Sequence, residues 1–382
     1  MCLSPASVET YELISTPGAL SRLETDWEDL WRRVPEHYLS QSFDWARISW
    51  ELIAAPRGRR LHCVVARDAG RVRLIWPFVA YRRGGWSVLR PLGSETIEYT
   101  QPLVDPSETA ELLILEAWRL LCATSKCDVI LLPHVHTESK LYRVVRDLSG
   151  LKLVYVVDAP CVNWTGIEEW QDYYKSISRK NRTNLNQRRR RLAELGKVTF
   201  ETITGVERCA PVIDWMLQHK RAWLQRTGKI SEPLRSADYE AWLKASMSIS
   251  SPVGSRRITV LKLDDRIIAA RLSNVDQVRV EGFMATYDYD FARYSPGEIL
   301  KEYCLRNAFA QRLCFDFHGG NEPWKRIWSN RYHKDISYTY ANTAWGGPYV
   351  LAMKTRLGVA RHIPAQKKTK IKKILRNLLG RH

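Results

Sequence analysis

The sequence predicts an α/β (α+β) protein of two tandem domains, each a mixed, mostly antiparallel sheet flanked by helices. Three observations carry this. A chain of 382 residues is long for one ordinary domain and comfortable for two. Its composition, 45% apolar and 26% charged, is that of a soluble globular protein. The third observation is a coarse order of elements that runs twice. The two copies share pattern and no detectable sequence identity, so the repeat rests on periodicity alone. The expected boundaries are 1–160, 161–345 and a basic tail over 346–382.

In the first half, Leu20 to Val34 reads as an amphipathic helix with Leu23, Trp27, Leu30 and Trp31 on one side. A second helix starts at Ser42-Phe43-Asp44-Trp45. Leu61–Ala66 and Val72–Tyr81 alternate as strands around Asp68-Ala69-Gly70, a hairpin signal. Trp86–Leu89, Asp128–Leu132 and Lys152–Val157 complete the strands, with helices over Glu108–Thr124 and Leu141–Leu148. No Gly-rich loop opens any of these helices, so this half reads as scaffold or acceptor-side wall.

The second half begins with a long helical pattern from Trp170 to Leu195. A strand over Lys197–Ile203, helices over Ala210–Arg226 and Asp238–Ile249, and a strand pair around Asp264-Asp265 follow. Val278 to Trp328 is the most informative stretch. Val278–Thr286 reads as a strand interrupted by Gly282, and Glu298–Arg312 as a helix with Ile299, Leu300, Tyr303, Cys304 and Ala308 on its apolar face. A short strand at Cys314–Phe317 leads to Gly319-Gly320. The unit is βαβ. Ser295 is expected to cap the helix, Pro296 suits its first position, and Gly297 lets a ligand approach the backbone. The free N–H groups and positive dipole of a helix start favour a phosphate or pyrophosphate.

Composition excludes several function classes. The longest apolar run, Leu74–Tyr81, is broken by Pro77 and falls short of the ~20 residues of a membrane span. No signal-peptide pattern opens the chain, so a cytoplasmic protein is expected. The eight cysteines are scattered without a CxxC, and His134 and His136 have no ligand-spaced companions, so neither disulfides nor a metal are expected. The formal charge of +18 is local. Arg179–Arg191 carries seven basic residues and no acidic one, and Lys354–Arg381 ten. Local basicity addresses a local partner. Arginine dominates the first cluster, and guanidinium forks favour phosphate. Lys180 and Arg182 rank ahead of Arg188–Arg191, because four consecutive residues wrap around a helix and cannot all face one site.

In Lys367–Gly380, the residues Ile371, Ile374, Leu375, Leu378 and Leu379 share one helical face among lysines and arginines. That pattern fits a helix lying on an anionic membrane surface, peripheral on the inner membrane; an ordinary packed helix or a disordered basic tail fits it too.

The motifs together resemble those of the GNAT-type acetyltransferases of the CelD/BcsL-like family of cellulose and exopolysaccharide biosynthesis, related in fold to the FemABX peptidyltransferases. The matching pieces are Ser178-Arg-Lys-Asn-Arg182 with the arginine run, Leu263 to Ala270, Tyr294-Ser-Pro-Gly297, and Asp316-Phe-His-Gly-Gly-Asn-Glu-Pro-Trp-Lys325, with Phe43-Asp-Trp45 in the first half. The resemblance spans about Leu20 to Tyr340.

It implies tandem GNAT domains with acetyl-CoA (acyl-CoA) as co-substrate in the second. Tyr294, Ser295, Pro296 and Gly297 would meet the pyrophosphate. Met284, Ala285 and Thr286 would line the pantetheine arm and polarise the thioester carbonyl. Lys180, Arg182, Trp223, Gly320 and Lys325 fall to the acceptor, an amino sugar or lipid-linked sugar of envelope synthesis; nucleic acid is not an expected partner. Trp324 stands where the family has a tyrosine, and an indole cannot protonate a leaving thiolate. Either Tyr303 or Tyr332 is then the candidate acid or the thiolate leaves without a dedicated one; Glu322 or Asp316 is the candidate base, and Lys325 completes the catalytic set. The alternatives are a FemABX-like transferase using aminoacyl-tRNA and a non-catalytic binding protein of the same fold.

Overall fold

The computed structural model describes residues 10–96, 99–320 and 322–353. In chain order the first elements are β1 (Thr10–Ile14), α1 (Pro17–Arg22), α2 (Glu24–Arg33), α3 (Phe43–Ser49), β2 (Arg60–Asp68), β3 (Arg71–Arg83), β4 (Trp86–Pro91) and β5 (Leu103–Val104). Next come α4 (Ala110–Thr124), β6 (Val129–His136), α5 (Lys140–Val145), β7 (Lys152–Val162), α6 (Trp170–Ser176), α7 (Arg179–Ala193), β8 (Val198–Ile203), α8 (Val206–Thr227) and α9 (Ala237–Ala245). The chain continues through β9 (Ser250–Ser251), β10 (Gly254–Leu263), β11 (Arg266–Asp276), β12 (Arg279–Tyr287), α10 (Pro296–Ala310), β13 (Cys314–Asp316), α11 (Pro323–Trp328) and β14 (Arg331–Ala341).

The chain forms two compact units. In the first, strands run in the order β1-β2-β3-β4-β6-β14, antiparallel except for the parallel β4–β6 pair. Helix α4 lays Leu113, Ile114, Ala117, Trp118 and Leu121 onto a sheet face that includes Val64, Leu74, Trp76 and Ile130. Burial runs without a break over Cys63–Ala66 in β2 and over Leu74–Trp76 and Phe78–Ala80 in β3, so these strands are covered on both faces rather than alternating as the hairpin pattern predicts.

The units divide the chain differently from the expected 161–345 segment. The second unit spans Asp158–His333, and Lys334–Met353 belong to the first. The reason is β14: it pairs with β6 from Asp335↔His136 to Ala341↔Val129 and buries Ile336 and Tyr338 in the first core. Residues 346–353 continue there, with Tyr349 packed on Val88 and Val129. The amphipathic pattern at 367–380 lies outside the described residues.

In the second unit the sheet order is β7-β13-β12-β11-β10-β8, with β12 and β13 parallel and the others antiparallel. The expected βαβ crossover is present as β12-α10-β13, and α10 buries Ile299, Leu300, Cys304, Leu305 and Ala308. Two expected helices are each broken in two. The 20–34 pattern divides at Leu23, where Thr16 and Leu23 flank α1 as its caps. The 170–195 pattern divides at Ile177, which is extended, and Ser178 then caps α7 by accepting the Asn181 N–H at 3.3 Å. A side-chain cap offers the backbone a competing partner, so it ends one helix and starts the next.

Candidate active site

The parallel pairing of β12 with β13 covers three residue pairs, Arg279↔Cys314, Val280↔Phe315 and Glu281↔Asp316. Beyond Glu281 the strands part, and Gly282–Tyr287 keeps β11 as its only strand partner among the described residues. That unpaired edge borders a cavity of about 610 Å³. Its walls are Ala285–Tyr287 of β12, the start of α10 with Ser295, Gly297, Glu298 and Lys301, one face of α8, and Trp324 of α11.

The α10 entrance is built locally. Asp288 ends β12, accepts the Asp290 N–H at 3.0 Å and pairs with Arg266 at 2.6 Å, holding a 3₁₀ turn over Tyr289–Tyr294. Ser295 then takes a left-handed conformation (φ 49°, ψ 56°) and makes no capping hydrogen bond. The expected Ser295 cap is therefore corrected: its backbone makes the turn, and its side chain is not spent on the helix. Pro296 fixes the first helical φ, and Gly297 leaves the entrance open, with Tyr287 at 3.5 Å from where a Cβ would sit.

Helix α8 presents His219, Lys220, Trp223 and Arg226 to the cavity, residues that share one face at helical spacing. His219 Nδ1 lies 2.9 Å from the Trp215 carbonyl oxygen and Nε2 3.9 Å from Asp288. The Lys220 and Lys229 ammonium groups sit 5.2 and 4.7 Å from the Trp223 ring centre. Burial pulls the Lys220 ammonium down to about 8, helped by the positive charge of Arg271. Lys301, only 3% exposed, donates to Glu298 at 2.6 Å and lies 3.8 Å from the Trp324 ring centre. Its value is also about 8, because burial outweighs the attraction of Glu298. Glu298 further accepts the Trp328 indole N–H at 3.0 Å.

Of the expected cofactor residues, Ala285, Thr286, Ser295 and Gly297 line the cavity. Met284 and Tyr294 are buried beside it without lining it, and Pro296 is buried in the helix start. Trp223 lines it too.

The expected catalytic set does not assemble there. Lys325 is buried and spent on the His318 and Gly319 carbonyls at 3.0 and 2.8 Å. Glu322 is exposed and lies 3.3 Å from Lys325. Asp316 is buried in β13 and accepts the His318 N–H at 2.7 Å. Gly320 has φ 144°, donates its N–H to the Asp158 carbonyl and leaves no room for a Cβ beside Glu322 and Lys325. These residues shape one loop. Tyr303 stacks on Phe200 at 4.1 Å, and Tyr332 is exposed with its O–H 3.5 Å from the Arg326 carbonyl oxygen; neither lines the cavity. Lys180 is exposed on α7, and Arg182 lies 5.9 Å from the Tyr174 ring, both apart from the cavity walls.

Sequence reasoning missed Lys220, Arg271, Glu298 and Lys301. Lys301 had a signal: it follows Gly297 by one helical turn and shares its face. No group of His, Cys, Asp and Glu able to hold a metal occurs among the described residues. The site thus offers an open backbone edge, a helix start and an excess of cations, the parts that hold an extended arm ending in phosphate.

Residues 179–326 are matched by the family model for an acetyltransferase (GNAT) domain. Among solved structures, FemX aligns with a TM-score of 0.59 at 12% identity, over 83% of this chain and 96% of that one. The C-terminal domain of a putative lysylphosphatidylglycerol synthetase from Agrobacterium fabrum gives 0.52 at 14%, over 88% and 96%. L-PGS from Bacillus licheniformis gives 0.52 at 14%, over 90% and 96%. At these identities the likeness is one of fold. No curated protein matches the sequence.

Proposed function

We propose that the GNAT-type domain of residues 179–326 makes this protein an N-acyltransferase that moves an acyl group, acetyl in the simplest case, from acyl-CoA to an amine. The observation that carries this is the cavity itself, where the free edge of β12 meets the start of α10. The pantetheine arm pairs along Gly282–Tyr287 like an added strand, and the pyrophosphate meets the Ser295–Gly297 turn. A β12 N–H polarises the thioester carbonyl, so most of the rate comes from orientation and fixed dipoles. The amine attacks that carbonyl, the C–S bond breaks, and two protons must move. We assign the transfers to the carboxylate and ammonium that line the cavity, Glu298 taking the amine proton and Lys301 supplying the thiolate. Lys301 beside Trp324 answers the absence of a tyrosine there. The acceptor we propose, an amino sugar or lipid-linked sugar of envelope or exopolysaccharide synthesis, rests on the family resemblance alone.

A second reading takes aminoacyl-tRNA as donor. Its support is the fold likeness to FemX and the exposed Arg179, Lys180 and Arg190 on α7; RNA binding of that kind weakens steeply with salt. Calorimetric titration of CoA into the protein and into Gly297→Asp, with thiol release from acetyl-CoA over amino-sugar acceptors, tests the first reading. A new Cβ at Gly297 meets only Tyr287, at the ordinary contact distance of 3.5 Å. CoA affinity should fall by ~10-fold or more, the scale of a charge opposing a phosphate at a helix start. No CoA binding by the unaltered protein, with aminoacyl-tRNA bound instead, moves the assignment to the second reading.

A further inference from the structure

Arg271 stands on β11 opposite Ala285, 4% exposed, and lines the cavity. Its guanidinium forms no ion pair or hydrogen bond with a described residue, and Nε is wholly buried without a partner. The contact it does make is with the Phe315 ring, 5.7 Å away. The nearest carboxylate of the cavity wall, Glu298, is committed to Lys301 and Trp328. Lys220, the other cation at this end, forms no ion pair with a described residue either, and burial lowers the pKa of both groups. A buried guanidinium left without a counterion is destabilising, so its presence facing a cavity points to a ligand that supplies one.

Gly282 is arranged around it. Its backbone conformation is ordinary, yet a Cβ there would come within 2.6 Å of Arg271 Nη1. The glycine leaves the guanidinium its present position, which a Cβ would displace. It is also the first residue past the last β12–β13 pair, so Arg271 marks the point where the strands part.

We propose that this inner end of the cavity is a carboxylate-recognition subsite, in which the Arg271 fork holds a carboxylate carried by the substrate close to its reacting carbonyl or amine. The proposal rests on the acyl-transfer reading for what reacts there. Planar bidentate geometry matches guanidinium to carboxylate, and a neutral acetyl group leaves the fork unpaired. The carboxylate belongs either to the acyl group or to the acceptor.

Two arms distinguish these sources. The first compares succinyl-CoA with acetyl-CoA on a common amine; the second compares muramic acid with glucosamine under acetyl-CoA. In one arm the carboxylate-bearing partner should be preferred in kcat/KM by ~30-fold, the scale of a charged hydrogen-bonded pair, and Arg271→Met should erase that preference. Gly282→Ala, which crowds the guanidinium without removing it, should reduce the preference, and CoA affinity should stay within ~3-fold in Arg271→Met. Calorimetric titration with succinate or muramic acid alone reads the subsite even where no transfer occurs, so loss of acyl transfer and loss of the subsite separate. Arg271→Met should melt at or above the temperature of the unaltered protein, because a buried unpaired charge is removed. No preference in either arm, a preference surviving in Arg271→Met, or an equal loss of CoA affinity in that variant overturns the proposal.

Discussion

At the residue scale, the cavity is controlled by charges whose neighbours are remote in sequence. Lys301 and Lys220 both fall from 10.5 to about 8, by burial first. The sign for Lys301 is definite. A lysine whose folded value is lowered penalises the folded state while charged, and the penalty disappears as pH rises from about 8 towards 10.5. The burial is nearly complete, and the lowering corresponds to roughly 3 kcal/mol at most. Stability against urea should therefore rise across that window, and Lys301→Met should flatten the rise. Titration of ¹³C-methylated lysines checks the premise: resonances of Lys220 and Lys301 turning above pH 10 would remove it. Lys325, Asp316 and Gly320 carry the opposite lesson. Their motif was legible in sequence, yet the structure uses them to tie the His318–Gly320 loop. A charged residue in a motif does not announce whether its hydrogen bonds will be spent on the backbone.

At the element scale, the basic helix α7 is partly structural. Leu185 and Leu192 are buried, and Arg189 pairs with Glu302 of α10, a carboxylate 1% exposed that also accepts from Arg306 at 3.0 Å. Arg189 and Arg306 are 39% and 47% exposed, so removing Glu302 leaves solvated charges behind and costs about 1 kcal/mol. Glu302→Ala should lose about that much in urea unfolding while CoA affinity is unchanged; a loss below ~0.5 kcal/mol would show that the pair is dispensable. The pairing also explains a limit of periodicity. The apolar face of α10 is legible from Ile299, Leu300, Cys304 and Ala308, whereas nothing in the periodicity marks Lys301 and Glu302 as buried. Burial of charge depends on a partner, and the partners lie on other elements. The same holds at Ser295, where the Ser-Pro-Gly pattern marked the helix start correctly but not the left-handed turn that makes it.

At the scale of the whole molecule, the charge of +18 remains concentrated in α7 and in the sequence beyond Lys354. No helix among the described residues is long and apolar enough to cross a membrane. The basic, amphipathic pattern at 367–380 predicts adsorption to anionic lipid, gaining about 1 kcal/mol per basic residue near the surface. Co-sedimentation with phosphatidylglycerol vesicles should retain the full chain and release a chain ending at residue 353; equal binding by both removes the membrane role. By itself the sequence determined the mixed-sheet class, the β12-α10-β13 crossover and the helix start at Pro296, because periodicity, proline and glycine act through residues close in the chain. The tertiary structure alone decided that β14 returns to the first unit, that β12 and β13 part after Glu281, and that Arg271, Lys220 and Lys301 border one cavity. Strand pairing and burial are contacts between residues far apart in sequence, and their free energy exists only once the chain has brought them together.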